Sequence, residues 1–249
     1  MKKLIFSNLI VFSIISCSSD GLQSTSTTTS LSYDNGSLVT GKVSSNGVQA
    51  PAGFSLSELE NGYINLGFYS FTHPTIQNRR HYIGDDFVVP VNETWNIDEF
   101  TFYFFKGLEE DVFPVNAVML EIYDGDPRLN TSRKIFGDFS TNLFLKSQAT
   151  DVYRIAYNSN SLSEAHQVYS VKAKIPNLNL QSGHYYFKMT TKYEGANFFY
   201  FAPHLPQSKV KNNNGFYFVV NNLNETYFTT DPDSKFDFPF LINGTKTIN

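Results

Sequence analysis

The chain has 249 residues, a formal net charge of −4, and 24 Phe and 15 Tyr but only one Trp, three Met and one Cys. A weakly acidic chain in which no Lys/Arg run exceeds a pair such as Arg79-Arg80 lacks the electrostatic footprint of a nucleic-acid binder. A lone cysteine excludes an intramolecular disulfide, and the aromatic richness favours strands over helices.

At the N-terminus, Met1, Lys2 and Lys3 make a short basic start, Leu4 to Ile15 are mostly apolar, and the small residue Ser16 precedes Cys17. This is the layout of a secretory signal, and about a dozen apolar residues fall short of the roughly 20 that a spanning helix needs. Ile14-Ile15-Ser16-Cys17 resembles the lipobox of bacterial lipoproteins. The resemblance implies that 1–16 is a cleaved leader, that the Cys17 thiol is lipidated, and that the lipid holds the mature N-terminus in a membrane. A cleaved leader with an incidental cysteine is the alternative. By resemblance to enterobacterial sorting, Ser18 in place of Asp after the cysteine implies the outer membrane, with the domain on its periplasmic or cell-surface side. Residues 17–32, dominated by Ser and Thr, have little to bury and are expected to form a flexible tether.

Residues 33–249 are long enough for one large core and suit a single β-domain. A short helix is expected at 55–62. Strands are expected at 87–91, 95–105, 116–124, 152–157, 168–175, 183–191, 198–202, 215–220 and 238–242, because aromatic and β-branched runs there are separated by turn formers. Within 95–105, alternation sets Ile97, Glu99 and Thr101 against Phe100, Phe102 and Phe104, with Trp95 packing inside. About nine or ten short strands with no internal repeat predict an all-β fold, a β-sandwich of jelly-roll type.

Several segments occur in one order: Tyr33-Asp34-Asn35-Gly36, "IGDDFVVPVNETWNIDEFTFYFF" (83–105), "AVMLEIYDGDP" (117–127), "IFGDFSTN" (135–142), "VYRI" (152–155), "LNLQSGHYYFKM" (178–189) and "FPFLING" (238–244). Together they resemble a secreted β-sandwich family of Bacteroidota. The resemblance spans residues 33–244 and implies fold and location more than activity. The proline-containing turn usual in that family is replaced here by Asn179-Leu180-Gln181, and a sorting domain after residue 244 is not expected.

The sequence contains no G-x-S-x-G elbow, H-E-x-x-H, phosphate-binding Gly loop or C-x-x-C. His73, His81, His166, His184 and His204 stand in no catalytic motif. Asp98 and Glu121 fall on predicted strands, which alone does not make the paired carboxylates of a glycosidase. Acidic loops are better suited to calcium, which takes oxygen ligands from carboxylates and carbonyls. Asp124 with Asp126, and Asp231 with Asp233 and Asp237, are the candidate ligands of a structural Ca²⁺, the sole cofactor expected. The same residues serve equally as turn formers. For ligand binding, the ring-rich stretch 197–204 nominates Phe199, Tyr200 and Phe201, with Asn213 as a nearby amide. The expected function is that of a non-enzymatic, membrane-anchored module binding a glycan or a surface protein. A structural or assembly lipoprotein and a polysaccharide-active enzyme are the alternatives, and nucleic acid is not an expected partner.

Overall fold

The computed structural model describes residues 26–60, 66–72, 80–107, 113, 115–193, 200–221, 224–228 and 236–249. Among these, thirteen strands form two sheets facing each other as a β-sandwich. The first sheet contains β1 (Thr27–Asp34), β2 (Ser55–Glu58), β4 (Glu93–Lys106), β7 (Phe144–Ile155), β8 (Gln167–Leu180) and β13 (Phe240–Ile248), in the order β1-β13-β4-β8-β7-β2. A two-residue strand, β10 (Tyr200–Phe201), pairs with the end of β4 and makes this sheet seven-stranded. The second sheet contains β3 (Arg80–Val89), β5 (Val115–Tyr123), β6 (Lys134–Asp138), β9 (Gly183–Tyr193), β11 (Phe216–Asn221) and β12 (Asn224–Phe228), in the order β12-β11-β3-β9-β5-β6. All pairings are antiparallel except β2 with β7.

The core lies between the sheets. Phe100, Phe102 and Phe104 of β4 meet Phe87 of β3, Phe187 of β9 and Phe240 of β13, all at most 2% exposed. Fully burying one such ring contributes about 1.5–3 kcal/mol. Trp95 packs inside, stacked on Phe87 at 6.2 Å, as its place in the sequence predicts.

One alternation comes out differently. Ile97 shares sequence parity with Glu99 and Thr101, yet it is buried in the core beside Trp95. The register of β4 against β8 shifts between Ile97 and Glu99, so Asp98 stands opposite residues 175–177 and the inward phase changes by one residue. A bulge does this by inserting unpaired residues into one strand. Here it also absorbs Pro176 and left-handed Asn177, at φ 56°, so β8 runs on past the proline to Leu180. On the other side of β4, a Cβ on Gly244 would lie 2.0 Å from the Asn96 carbonyl oxygen, so only glycine fits that approach.

Two further expectations are corrected. The tether predicted to reach residue 32 ends sooner, because β1 begins at Thr27 and pairs with β13 from Thr27↔Ile248 to Asp34↔Leu241. β-Branched threonines suit an edge strand that buries little, and within 27–32 only Leu31 is buried. The helix expected at 55–62 is instead β2 over Ser55–Glu58, parallel to β7, with Leu56 and Ser57 fully buried. One isolated helical turn gains too few hydrogen bonds to persist, whereas the β7 edge offers a ladder.

Candidate functional site

Cys17, His73, Phe199, Asp231 and Asp233, all named from the sequence, lie outside the described residues. Tyr200 is fully buried, not presented to a ligand. Its hydroxyl is hydrogen-bonded to Thr191 Oγ1, and its ring meets Phe104 edge-on at 5.8 Å. Phe201 points to the opposite face, half-buried, against Phe105 at 5.5 Å and Tyr69 at 4.7 Å. The alternation of this pair is therefore present, but both rings are covered. Asn213 is exposed in the left-handed region at φ 57°, a turn residue.

The acidic loops are tied up internally. Asp126 receives Arg128 Nε at 2.8 and 2.9 Å and Nη2 at 2.6 Å. Asp124 accepts Arg133 N and Nε, and these contacts hold its carboxyl below the usual range, the backbone donor first. Asp237 is buried and caps the 211–214 turn, accepting the backbone N–H groups of Lys211, Asn212 and Asn214 at 2.7–3.0 Å. Among the described residues, no three His, Cys, Asp or Glu side chains gather as a metal site.

The segments that carry the family resemblance converge on one buried node. Asn35 follows β1, Asp85 sits inward on β3, and Phe238 precedes β13; Asn35 and Asp85 are at most 1% exposed. Asn35 Nδ2 donates to the Phe238 carbonyl at 2.9 Å and to Asp85 Oδ2 at 3.2 Å, while Tyr33 OH donates to Asn35 Oδ1 at 3.0 Å. Asp85 also accepts Phe238 N at 2.6 Å and Asp86 N at 2.8 Å. Burial, and next Asp237, push the Asp85 carboxyl well above its ordinary range. This node ties the two sheets together and is inaccessible to a ligand. Nearby, His184 Nε2 is bonded to the buried Asp86 carboxylate, but no hydroxyl or thiol nucleophile among the described residues is hydrogen-bonded to His184.

The accessible chemistry lies on the outer face of the seven-stranded sheet, where the segment between β1 and β2 packs Leu38 and Val39 over β4, β8 and β7. A small cluster of Leu38, Phe105, Val152 and Val168 holds that crossing down. Beside it is a depression of about 200 Å³, lined by Asp34, Ser37, Tyr103, Thr150, Asp151 and Val168 among others. Tyr103 is half-buried, and burial followed by the Asp34 carboxylate raises its phenol above the usual value. The Tyr103 hydroxyl and the Asp151 carboxylate carry no hydrogen bond among the described residues. Asp34 spends one oxygen on Gly36 N at 2.8 Å. The depression therefore combines a ring with unused donors and acceptors.

A second depression, of about 340 Å³, is lined by Thr40, Ser45, Glu58, Glu60, Tyr157 and Lys209 among others. Its Tyr157 is 37% exposed. Glu58 accepts Ser45 N and Oγ at 2.8 and 2.5 Å, Glu60 accepts Ser208 N at 3.0 Å, and Lys209 Nζ donates to the Val39 carbonyl. Sequence reasoning missed both depressions, since their residues come from four separate parts of the chain. One signal was present: Tyr103 extends the outward phase of Glu99 and Thr101. No family model and no curated protein matches this sequence.

Proposed function

We propose that the protein is a lipid-anchored surface lipoprotein whose β-sandwich binds a glycan without cleaving it, at the depression around Tyr103. One observation carries this reading: a half-buried tyrosine ring stands among hydrogen-bonding groups that the fold leaves unused. A sugar offers C–H faces to a ring and hydroxyls to carboxylates, and a site keeping both in reach is built for that mixture. The lipobox-like Ile14-Ile15-Ser16-Cys17 supports lipid anchoring, Ser18 after it supports the outer membrane, and the resemblance to the Bacteroidota family supports a role at the cell surface. The test is a glycan array on the full mature chain, repeated with Tyr103→Leu, while Cys17→Ser is followed by membrane fractionation. At least one glycan is expected to bind and to be lost in Tyr103→Leu, and Cys17→Ser is expected to leave the membrane fraction. An array with no hit would favour the structural lipoprotein. A glycan that is hydrolysed would favour the polysaccharide-active alternative, with Asp34 and Asp151 as the carboxylates of that depression.

A further inference from the structure

We infer that the ligand is an extended, uncharged polysaccharide chain crossing both depressions; the inference rests on the glycan reading above. The two hollows share a rim. Val39 lines the first and its neighbour Thr40 the second, and Lys209 of the second donates its Nζ to the Val39 carbonyl. Strand β7 also serves both, sending Thr150, Asp151 and Val152 to the first and continuing just past its end to Tyr157 in the second. From Asp151 in the first hollow to Tyr157 in the second the chain can reach at most about 20 Å, so the two hollows lie within the span of one oligosaccharide.

Size separates a chain from a single sugar. At about 200 Å³ the first hollow is smaller than the roughly 300 Å³ at which ligand pockets begin, and only the second reaches that range. A ligand confined to the Tyr103 hollow would be poorly enclosed, whereas a chain continuing over the Val39–Thr40 rim gains the second ring. Charge selects the class. Asp34, Asp151, Glu58 and Glu60 line the two hollows. The ammonium groups nearby are committed to backbone carbonyls, Lys209 to Val39 and Lys211 to Asp34. Four carboxylates against two engaged ammonium groups repel uronates and sulfated sugars, leaving neutral glycans.

The experiment titrates the full mature chain with ladders of neutral oligosaccharides built on glucose, mannose, xylose or N-acetylglucosamine, and with polygalacturonate as the acidic probe. Affinity should climb with chain length until both hollows are spanned and then level off, and polygalacturonate should not bind. Tyr157→Ala should weaken long chains by about tenfold, the loss of one good contact, while leaving short ones unchanged. Tyr103→Leu should weaken both, and unchanged melting curves show that each variant is folded. Binding that depends on Tyr103 but not on length or Tyr157 overturns the two-hollow chain and spares the glycan reading. Binding of polygalacturonate overturns the neutral class. Absence of binding across all ladders overturns the reading and this inference together.

Discussion

The outer faces of the two sheets are finished in opposite ways. On the six-stranded sheet, Tyr82, Tyr186, Phe216 and Phe218 form a second buried cluster, flanked by Tyr123 and Phe139. Lys188, only 5% exposed, sets its ammonium 4.6 Å from the Tyr82 centroid, 4.9 Å from Phe218 and 5.4 Å from Phe139, and Arg128 covers Phe216 at 5.2 Å. Such cation–ring contacts are strongest when water is excluded. On the seven-stranded sheet the cover is a crossing loop over a four-residue cluster, and two tyrosines remain accessible, Tyr103 beside the unbonded Asp151 carboxylate and Tyr157 beside carboxylates already bonded to Ser45 and Ser208. Both faces use rings, but the first buries its cluster while the second leaves a ring accessible beside unspent polar groups. Aromatic content therefore locates little by itself, since most of it here is consumed by two layers of packing.

This contrast can be broken most directly by truncating a ring on each side. Phe218→Ala should cost about 3–5 kcal/mol, as buried aromatic truncations do, lowering the melting temperature by roughly 10 °C. Tyr157→Ala should move it by less than about 1 kcal/mol. Urea unfolding of both variants checks the difference, and equal losses would show the two faces to be equivalent. The node beneath them comes next. Asn35→Ala leaves the Phe238 carbonyl and Asp85 each short of a buried donor, which should cost about 2–3 kcal/mol by the same assay.

Alkaline titration sharpens the comparison. Burial first, and then Asp86, push Tyr186 on the ring-covered face up to about 12, while Tyr103 is also raised, by burial and Asp34. An unfolded phenol ionises near pH 10, so above that pH the unfolded chain gives up protons that the fold retains. Stability should accordingly fall as pH rises from about 10 towards 12. Tyr186→Phe should flatten that decline more than Tyr103→Phe does, as read from unfolding free energies across the range. The smallest effect concerns calcium. Asp124 and Asp126 already face guanidinium groups, and Asp237 is occupied by backbone donors, so millimolar Ca²⁺ should leave the melting curve unchanged. A rise reversed by EDTA would point to a site completed by Asp231 and Asp233.

Much of the sandwich was legible because strands such as 95–105 carry rings at alternate positions, Phe100, Phe102 and Phe104, which the core buries. What was lost reflects non-local effects. The phase change at Asp98 depends on what β8 places opposite it, and β1 is a strand only because β13 lies alongside; nothing in a run of Ser and Thr announces that partner. The stretch 197–204 was ring-rich enough to suggest a platform, yet its described rings were claimed by Phe104, Phe105 and Tyr69, which no local pattern reveals. Asn35, Asp85 and Phe238 were visible in the sequence. Their shared role became clear only when three distant segments met.

The pairing of β1 with β13 has a mechanical side. A pull applied upstream of Thr27 acts along the axis of β1, the outermost strand of its sheet, and the rim of the Tyr103 hollow begins at Asp34 where that strand ends. In the proposed anchored, ligand-holding protein such tension would divide between the covalent chain and the ladder to β13, whose other neighbour, β4, carries Tyr103. Eight residue pairs from Thr27↔Ile248 to Asp34↔Leu241 are loaded together in shear rather than unzipped singly. The same edge strand that buries only one side chain therefore makes the attachment stiff in the direction from which force would arrive.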